Sequence, residues 1–172
     1  MYETQSFTGS KTSNEDSEVK QLIVRAGVHK KGEFDLQDLI EDVKNRTGFE
    51  ATGAIAIFIG VVRGETDDGE KVEKLELEGY EKQADSVLQR ICKDLNDRAG
   101  ITDVQIHHLL GEFRVSEDLV YTLVAGAHRS EVFSTLIEAV TRFKSEAPIF
   151  KKEYVLTEEG MSGTWKSEDA PQ

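Results

Sequence analysis

The stretch GAIAIFIGVV, Gly53 to Val62, decides the fold class. It is apolar, and apart from Phe58 its residues are β-branched or small. Such a run reads as a central strand buried on both faces. It ends at Arg63-Gly64, and the acidic turn ETDDGE, Glu65 to Glu70, follows. Val72 to Leu77 then alternate as a partner strand, which predicts a hairpin.

Upstream, residues 1–18 are polar, with no apolar period, and read as a mobile tail. LIVRAG, from Leu22, suggests a first strand. Asp35 is placed to cap a helix carrying Leu36, Leu39, Ile40 and Val43 at helical spacing, with Gly48 as the stop. Downstream, a second helix is expected over Glu81 to Arg98. Its stripe is Ala84, Val87, Leu88, Ile91, Cys92 and Leu95, and Gly100 ends it. Val104 to Leu110 and Leu119 to Ala125 read as two strands joined by GEFRVSED. A third helix, Ser130 to Ala147, stops at Pro148, because the residue before a proline leaves the helical region. Ile149 to Leu156 is a last strand. Beyond Gly160 the chain is polar apart from Met161 and Trp165. The order βα, ββα, ββα, β predicts an α+β domain, with a mainly antiparallel sheet and three helices. The domain is expected over residues 19–166, with a C-terminal tail at 167–172.

The bulk composition narrows the function classes. A chain of 172 residues with 38% hydrophobic content supports one domain with a core. A net charge of −12 argues against general nucleic-acid binding, which needs a basic surface. One cysteine, Cys92, leaves no internal disulfide and no cysteine-based zinc site, and its place in a helical stripe makes it a core residue. No apolar run approaches the roughly 18 residues of a membrane span, and no signal peptide opens the chain. A cytoplasmic, reducing location is the expectation.

Chemistry is suggested by two lysines seven residues apart, Lys144 and Lys151, in FKSEAPIFKKE. On a helical projection Val132, Phe133, Leu136, Ile137, Val140, Phe143 and Ala147 share one arc. Lys144 falls inside it, between Phe133 and Ile137. A lysine there either snorkels at the edge of the stripe or lines a pocket where its amine meets an anion.

Three more cations follow apolar elements. Arg63 ends the apolar strand, and His128 and Arg129 precede the third helix. Each has an ordinary explanation. Arg63 could sit at a hairpin surface, His128 could open a helix, and Arg129 could pair with Glu131 or Glu153. Lys151 and Lys152 could simply alternate across an edge strand. Taken together, Arg63, His128, Arg129 and the start of the third helix would form an anion site suited to phosphate. The lysines would then serve a bound electrophile. His107 and His108, adjacent on a strand, point to opposite faces and cannot chelate one metal. No HExxH, Walker, GxGxxG or GxSxG motif occurs.

These segments together resemble the large, catalytic subunit of molybdopterin synthase, from about Leu22 to Trp165. The carriers are GAIAIFIGVVRG with the family's Gly-x-Val-Arg at Gly60 to Arg63, LELEGYEKQA, GEF, AHRSEVF and FKSEAPIFKKE. The resemblance implies a hammerhead-like α/β fold. It implies a sulfurtransferase of molybdenum cofactor biosynthesis that inserts two sulfurs into cyclic pyranopterin monophosphate. The sulfur would come from a ubiquitin-like small subunit ending in a Gly-Gly thiocarboxylate. It further implies a homodimer within a two-plus-two heterotetramer, with no cofactor and no metal. Carried over by position, Lys144 and Lys151 would be catalytic. Arg63, His128 and Arg129 would bind the phosphate, and Val61, Val62, Lys152 and Glu153 would line the site.

Three positions depart from the family pattern. Phe150 stands where a tryptophan precedes the second lysine, Ser116 stands for a glycine after GEF, and a His-Arg pair reads His108-Leu109. None removes a catalytic position, but Ser116 calls the packing of its turn into question. Sheet edges for a dimer are expected at LVYTLVAGA and IFKKEYVL. The competing reading is a non-catalytic module that binds a ubiquitin-like partner or a phosphorylated ligand.

Overall fold

A computed structural model describes residues 25–158 and 160–166. The terminal tails expected from sequence, and Leu22 to Val24 of the first expected strand, lie outside these residues. The described elements are β1 (Gly27–Lys30), α1 (Leu36–Lys44), β2 (Ala54–Val61), β3 (Val72–Gly79), α2 (Glu81–Asn96), β4 (Ile101–Arg114), β5 (Asp118–Gly126), α3 (Arg129–Glu146), β6 (Ile149–Thr157) and β7 (Gly160–Lys166). A short 3-10 turn covers Phe49–Ala51. The α+β class holds. Six strands run in the order β2-β5-β4-β3-β6-β7, all antiparallel, and a seventh, β1, joins β4 in parallel.

β4 organises the molecule. Its first part, Ile101 to His108, pairs with β5, and its last four residues, Gly111 to Arg114, pair with β3. One strand therefore carries the chain from a larger sheet into a smaller one. The handover falls at Gly111, whose φ of 118° few other residues adopt.

Alternation along β4 and β5 separates two cores. Val104 and Ile106, with Val120 and Val124, pack under α2 and α3 against Leu88, Ile91, Leu95, Val132, Ala139 and Phe143. Leu109, Phe113, Tyr121 and Leu123 face the other way, towards Leu39 and Val43 of α1. Asp35 caps α1 through a reciprocal box with Asp38, as its sequence position predicts. Cys92 is a core residue, its thiol pushed up to about 12 by burial.

Four sequence expectations fail on topology. The run in β2 is not central: it pairs with β5 alone among the described strands, and Ile59 and Val61 remain 37% and 48% exposed. Continuous apolarity reports what a strand buries in its working state, which need not be one chain. β2 and β3 form no hairpin either. Their ends meet only through a Glu65–Lys71 bridge and a Val72 N–H to Gly64 carbonyl bond of 2.9 Å, after which β3 leaves to pair with β4 and β6. β5 and β6 are interior strands rather than edges. The segment after Gly160 is a strand, β7, paired with β6 along Gly160 to Lys166. Its residues are mostly exposed, so no apolar alternation announces it. Of the first expected strand, the described part is Gly27–Lys30.

The Ser116 departure has a definite cost. Ser116 has a φ of 71°, and it is the one non-glycine residue among those described with a positive φ. A side chain in that region is strained by about 1–2 kcal/mol. Ser116→Gly is expected to stabilise the fold by about 1 kcal/mol, after the added freedom of the unfolded chain is subtracted. Urea unfolding reads this directly, and an unchanged or lower midpoint would contradict it.

Candidate active site

The C-terminal end of α3 faces the smaller sheet across a cleft of about 450 Å³. Leu75 and Leu77 of β3, with Phe143 of α3, supply apolar walls. β2 closes another side, and its glycine is needed there. A Cβ on Gly60 would lie 2.6 Å from Val120 Cγ1, so only bare backbone lets β2 pack this closely.

Three cations enter this cleft: Arg63 after β2, Lys144 on α3 and Lys151 on β6. Two of them have carboxylate partners. Lys151 Nζ lies 3.0 Å from Glu153 Oε1, two residues on along the same strand face. The Glu153 side chain is 9% exposed and that of Lys151 26%, so the carboxylate fixes the amine from below. Arg63 Nη1 lies 2.9 Å from Asp67 Oδ1 in the acidic turn, and both are exposed. The Arg63 hydrogen bond and charge hold the Asp67 carboxyl below its usual range, with smaller contributions from Lys151 and Lys166. This turn therefore lies within the electrostatic reach of the cleft.

Lys144 is exposed, and so are its arc neighbours Phe133 and Ile137, at 56% and 68%. The buried face of α3 is Val132, Thr135, Ala139 and Phe143. The arc drawn from sequence was thus wider than the buried stripe, and Lys144 lies on its solvent-facing part.

Of the remaining candidates, Val61 borders the cleft, while the Val62 side chain is buried in the core facing α1. Lys152 points away from Lys151. Its Nζ lies over the Tyr154 and Trp165 rings, 4.9 and 5.3 Å from their centroids, on the outer face of the smaller sheet. Lys152 does not line the cleft, which Lys151 and Glu153 on either side of it do. His128 and Arg129 are exposed at the start of α3. Fifteen residues of helix separate Arg129 from Lys144, about 22 Å. One chain does not bring the five cations together.

Sequence reading passed over His108. Its ring is buried, packs edge-on to Phe143 with centroids 5.9 Å apart, and borders the same cleft. Burial pushes its pKa down to about 4, so the ring is neutral near pH 7. The signal was present in the alternation of β4, since residues 104, 106 and 108 share the α3-facing side.

The family model for the MoaE protein matches residues 29–146. The chain belongs to the MoaE family. A probable molybdopterin synthase of Haloferax volcanii is 38% identical over 125 residues, covering 72% of this chain and 48% of the relative. The chain thus spans about half the length of that relative. A molybdopterin synthase catalytic subunit of Pyrococcus abyssi is 36% identical over 133 residues, covering 77% and 85%. Among solved structures, molybdopterin synthase from Staphylococcus aureus superposes with a TM-score of 0.69 at 26% identity, covering 86% of this chain and 97% of that one. MoaE membership agrees with the motifs quoted above, and the matched region carries the cleft as far as Lys144.

Proposed function

We propose that this MoaE-family chain is the catalytic subunit of a molybdopterin synthase. It would transfer sulfur from a thiocarboxylated ubiquitin-like small subunit to cyclic pyranopterin monophosphate, forming the dithiolene. The observation that carries the reading is the cleft itself: Arg63, Lys144 and Lys151 converge on an apolar-walled space, in a protein of net charge −12. A local excess of cations there suits two anions, a thiocarboxylate tail and a phosphate. The apolar walls strip water from the thiocarboxylate sulfur, which raises its power as a nucleophile. Sulfur attacks the pterin side-chain carbon and the carbon–oxygen bond breaks, giving a thioester between pterin and small subunit. Water then cleaves its acyl carbon–sulfur bond, which leaves the sulfur on the pterin and frees the small subunit as a carboxylate. Lys151, held by Glu153, is assigned to stabilise or protonate the departing oxygen. Lys144, on the more open side, is assigned to orient the carboxyl end of the tail.

The phosphate site is proposed to be shared between two copies. His128 and Arg129 lie at the far end of α3, so a neighbouring chain is the source of that pair for each cleft. The edge that β2 forms among the described strands supports a dimer, as do exposed Ile59 and Val61 and the exposed Phe133 and Ile137 on α3, the helix packed beside it. A symmetric contact covers such surfaces on both copies at once. With a small subunit at each end, the assembly is two plus two.

Arg129→Ala is expected to weaken pterin binding while leaving small-subunit affinity in place. Losing one charge-assisted hydrogen bond costs about 1.5–3 kcal/mol, roughly 10- to 150-fold in Kd. Calorimetric titration with each partner separates the two affinities. Equal loss of both, or loss of neither, would contradict the phosphate assignment.

A further inference from the structure

The His108 ring has one engaged nitrogen and one open nitrogen. Nδ1 lies 3.1 Å from the Leu109 carbonyl oxygen, which can only accept, so Nδ1 carries the hydrogen. In a neutral ring Nε2 is then a bare lone pair. Among the described residues no donor meets it. It is nevertheless not sealed off, as Asn96 Oδ1 and Thr122 Oγ1 are. The residue is 5% exposed, and the space it borders is the cleft of Lys144 and Lys151.

An acceptor reached only from the cleft is met by water until a ligand displaces that water, and a ligand keeps the bond only if it brings a donor of its own. The three cations of the cleft attract anions, but a lone pair repels them. Nε2 therefore addresses a different part of the bound molecule. We propose that His108 is a substrate-binding residue whose Nε2 accepts a hydrogen bond from an N–H or O–H of the heterocyclic substrate, and so selects for a ring with a donor edge. This rests on the pterin reading of the cleft and adds to it: the cations hold the charged groups, and His108 fixes the ring.

Two substitutions separate the ends of the imidazole. In His108→Asn the amide replaces Nδ1 and keeps the bond to Leu109, but nothing reaches the cleft. In His108→Gln the longer side chain places an amide oxygen near the position of Nε2. The assay uses the full chain with cyclic pyranopterin monophosphate and the thiocarboxylated small subunit, and reads KM, kcat, small-subunit Kd and thermal midpoint. His108→Asn is expected to raise KM for the pterin about tenfold, the scale of one lost hydrogen bond, with small-subunit affinity unchanged and the midpoint lowered by the lost packing on Phe143, a loss His108→Gln shares without the rise in KM. His108→Gln is expected to keep KM within about threefold of wild type. Wild-type KM in His108→Asn, or an equal rise in KM in both variants, would overturn the proposal. If the wild type binds no pterin, the reading of the cleft falls and this inference with it. If the wild type binds pterin and His108→Asn binds it equally well, this inference alone falls.

Discussion

Lys151→Ala is expected to lower the rate of dithiolene formation by about 10²–10³-fold, the usual cost of losing one group that stabilises developing charge. The same change leaves Glu153 without its counter-charge in a largely buried setting. Breaking a fully buried pair costs ~3–5 kcal/mol, and this pair, with Lys151 a quarter exposed, should cost less. Stability must therefore be followed beside activity. Lys151→Arg retains a cation opposite Glu153 and should keep the melting midpoint near wild type. Its larger planar head cannot present the same point charge, so turnover should stay low. Low activity at restored stability would place the effect in the chemistry. Near wild-type turnover in Lys151→Ala would remove Lys151 from the mechanism.

Mixing two impaired chains, assayed with pterin far below the Kd of the Arg129→Ala variant, is expected to give the largest gain. Arg129→Ala leaves the lysines of its own cleft intact, and Lys151→Ala leaves its own His128 and Arg129 intact. If each cleft is completed by the neighbouring copy, a heterodimer of the two variants contains one site with both defects and one with neither. Activity should rise from near background to about half the wild-type value per heterodimer, as the independence of two sites requires. About 22 Å of helix separates Arg129 from Lys144, so one chain does not bring the two together, and recovery in the mixture would report a site completed by the neighbour. Scattering that shows a monomer at working concentration, or no recovery after verified subunit exchange, would rule out the shared site.

Local features were the most legible in the sequence. Asp35 and the stripe behind it announced α1, the stripe from Ala84 to Leu95 announced α2, and Pro148 marked the end of α3. Those signals depend on neighbours within a turn or two. Pairing was harder to read, because strand apolarity does not name its partner. β2 looked central yet is an edge among the described strands, β3 looked like its hairpin partner yet belongs to the smaller sheet, and β7 lacked an apolar face. The site divided in the same way. Lys144 and Lys151 flank Pro148, so their convergence followed from one helix-to-strand turn. Arg63 joins them through the long-range order of the sheet, which spacing does not encode. His108 was dismissed as a metal ligand, and its place in the cleft depends on which side of β4 faces α3.

Turnover by the wild-type chain tests the central claim most directly. The full chain is combined with cyclic pyranopterin monophosphate and a small subunit carrying a Gly-Gly thiocarboxylate, and the dithiolene product is measured against consumption of the thiocarboxylate. Two thiocarboxylates should be consumed for each dithiolene formed, with none formed when either component is left out. Binding of both components without any sulfur transfer would contradict the account and favour a non-catalytic binding module.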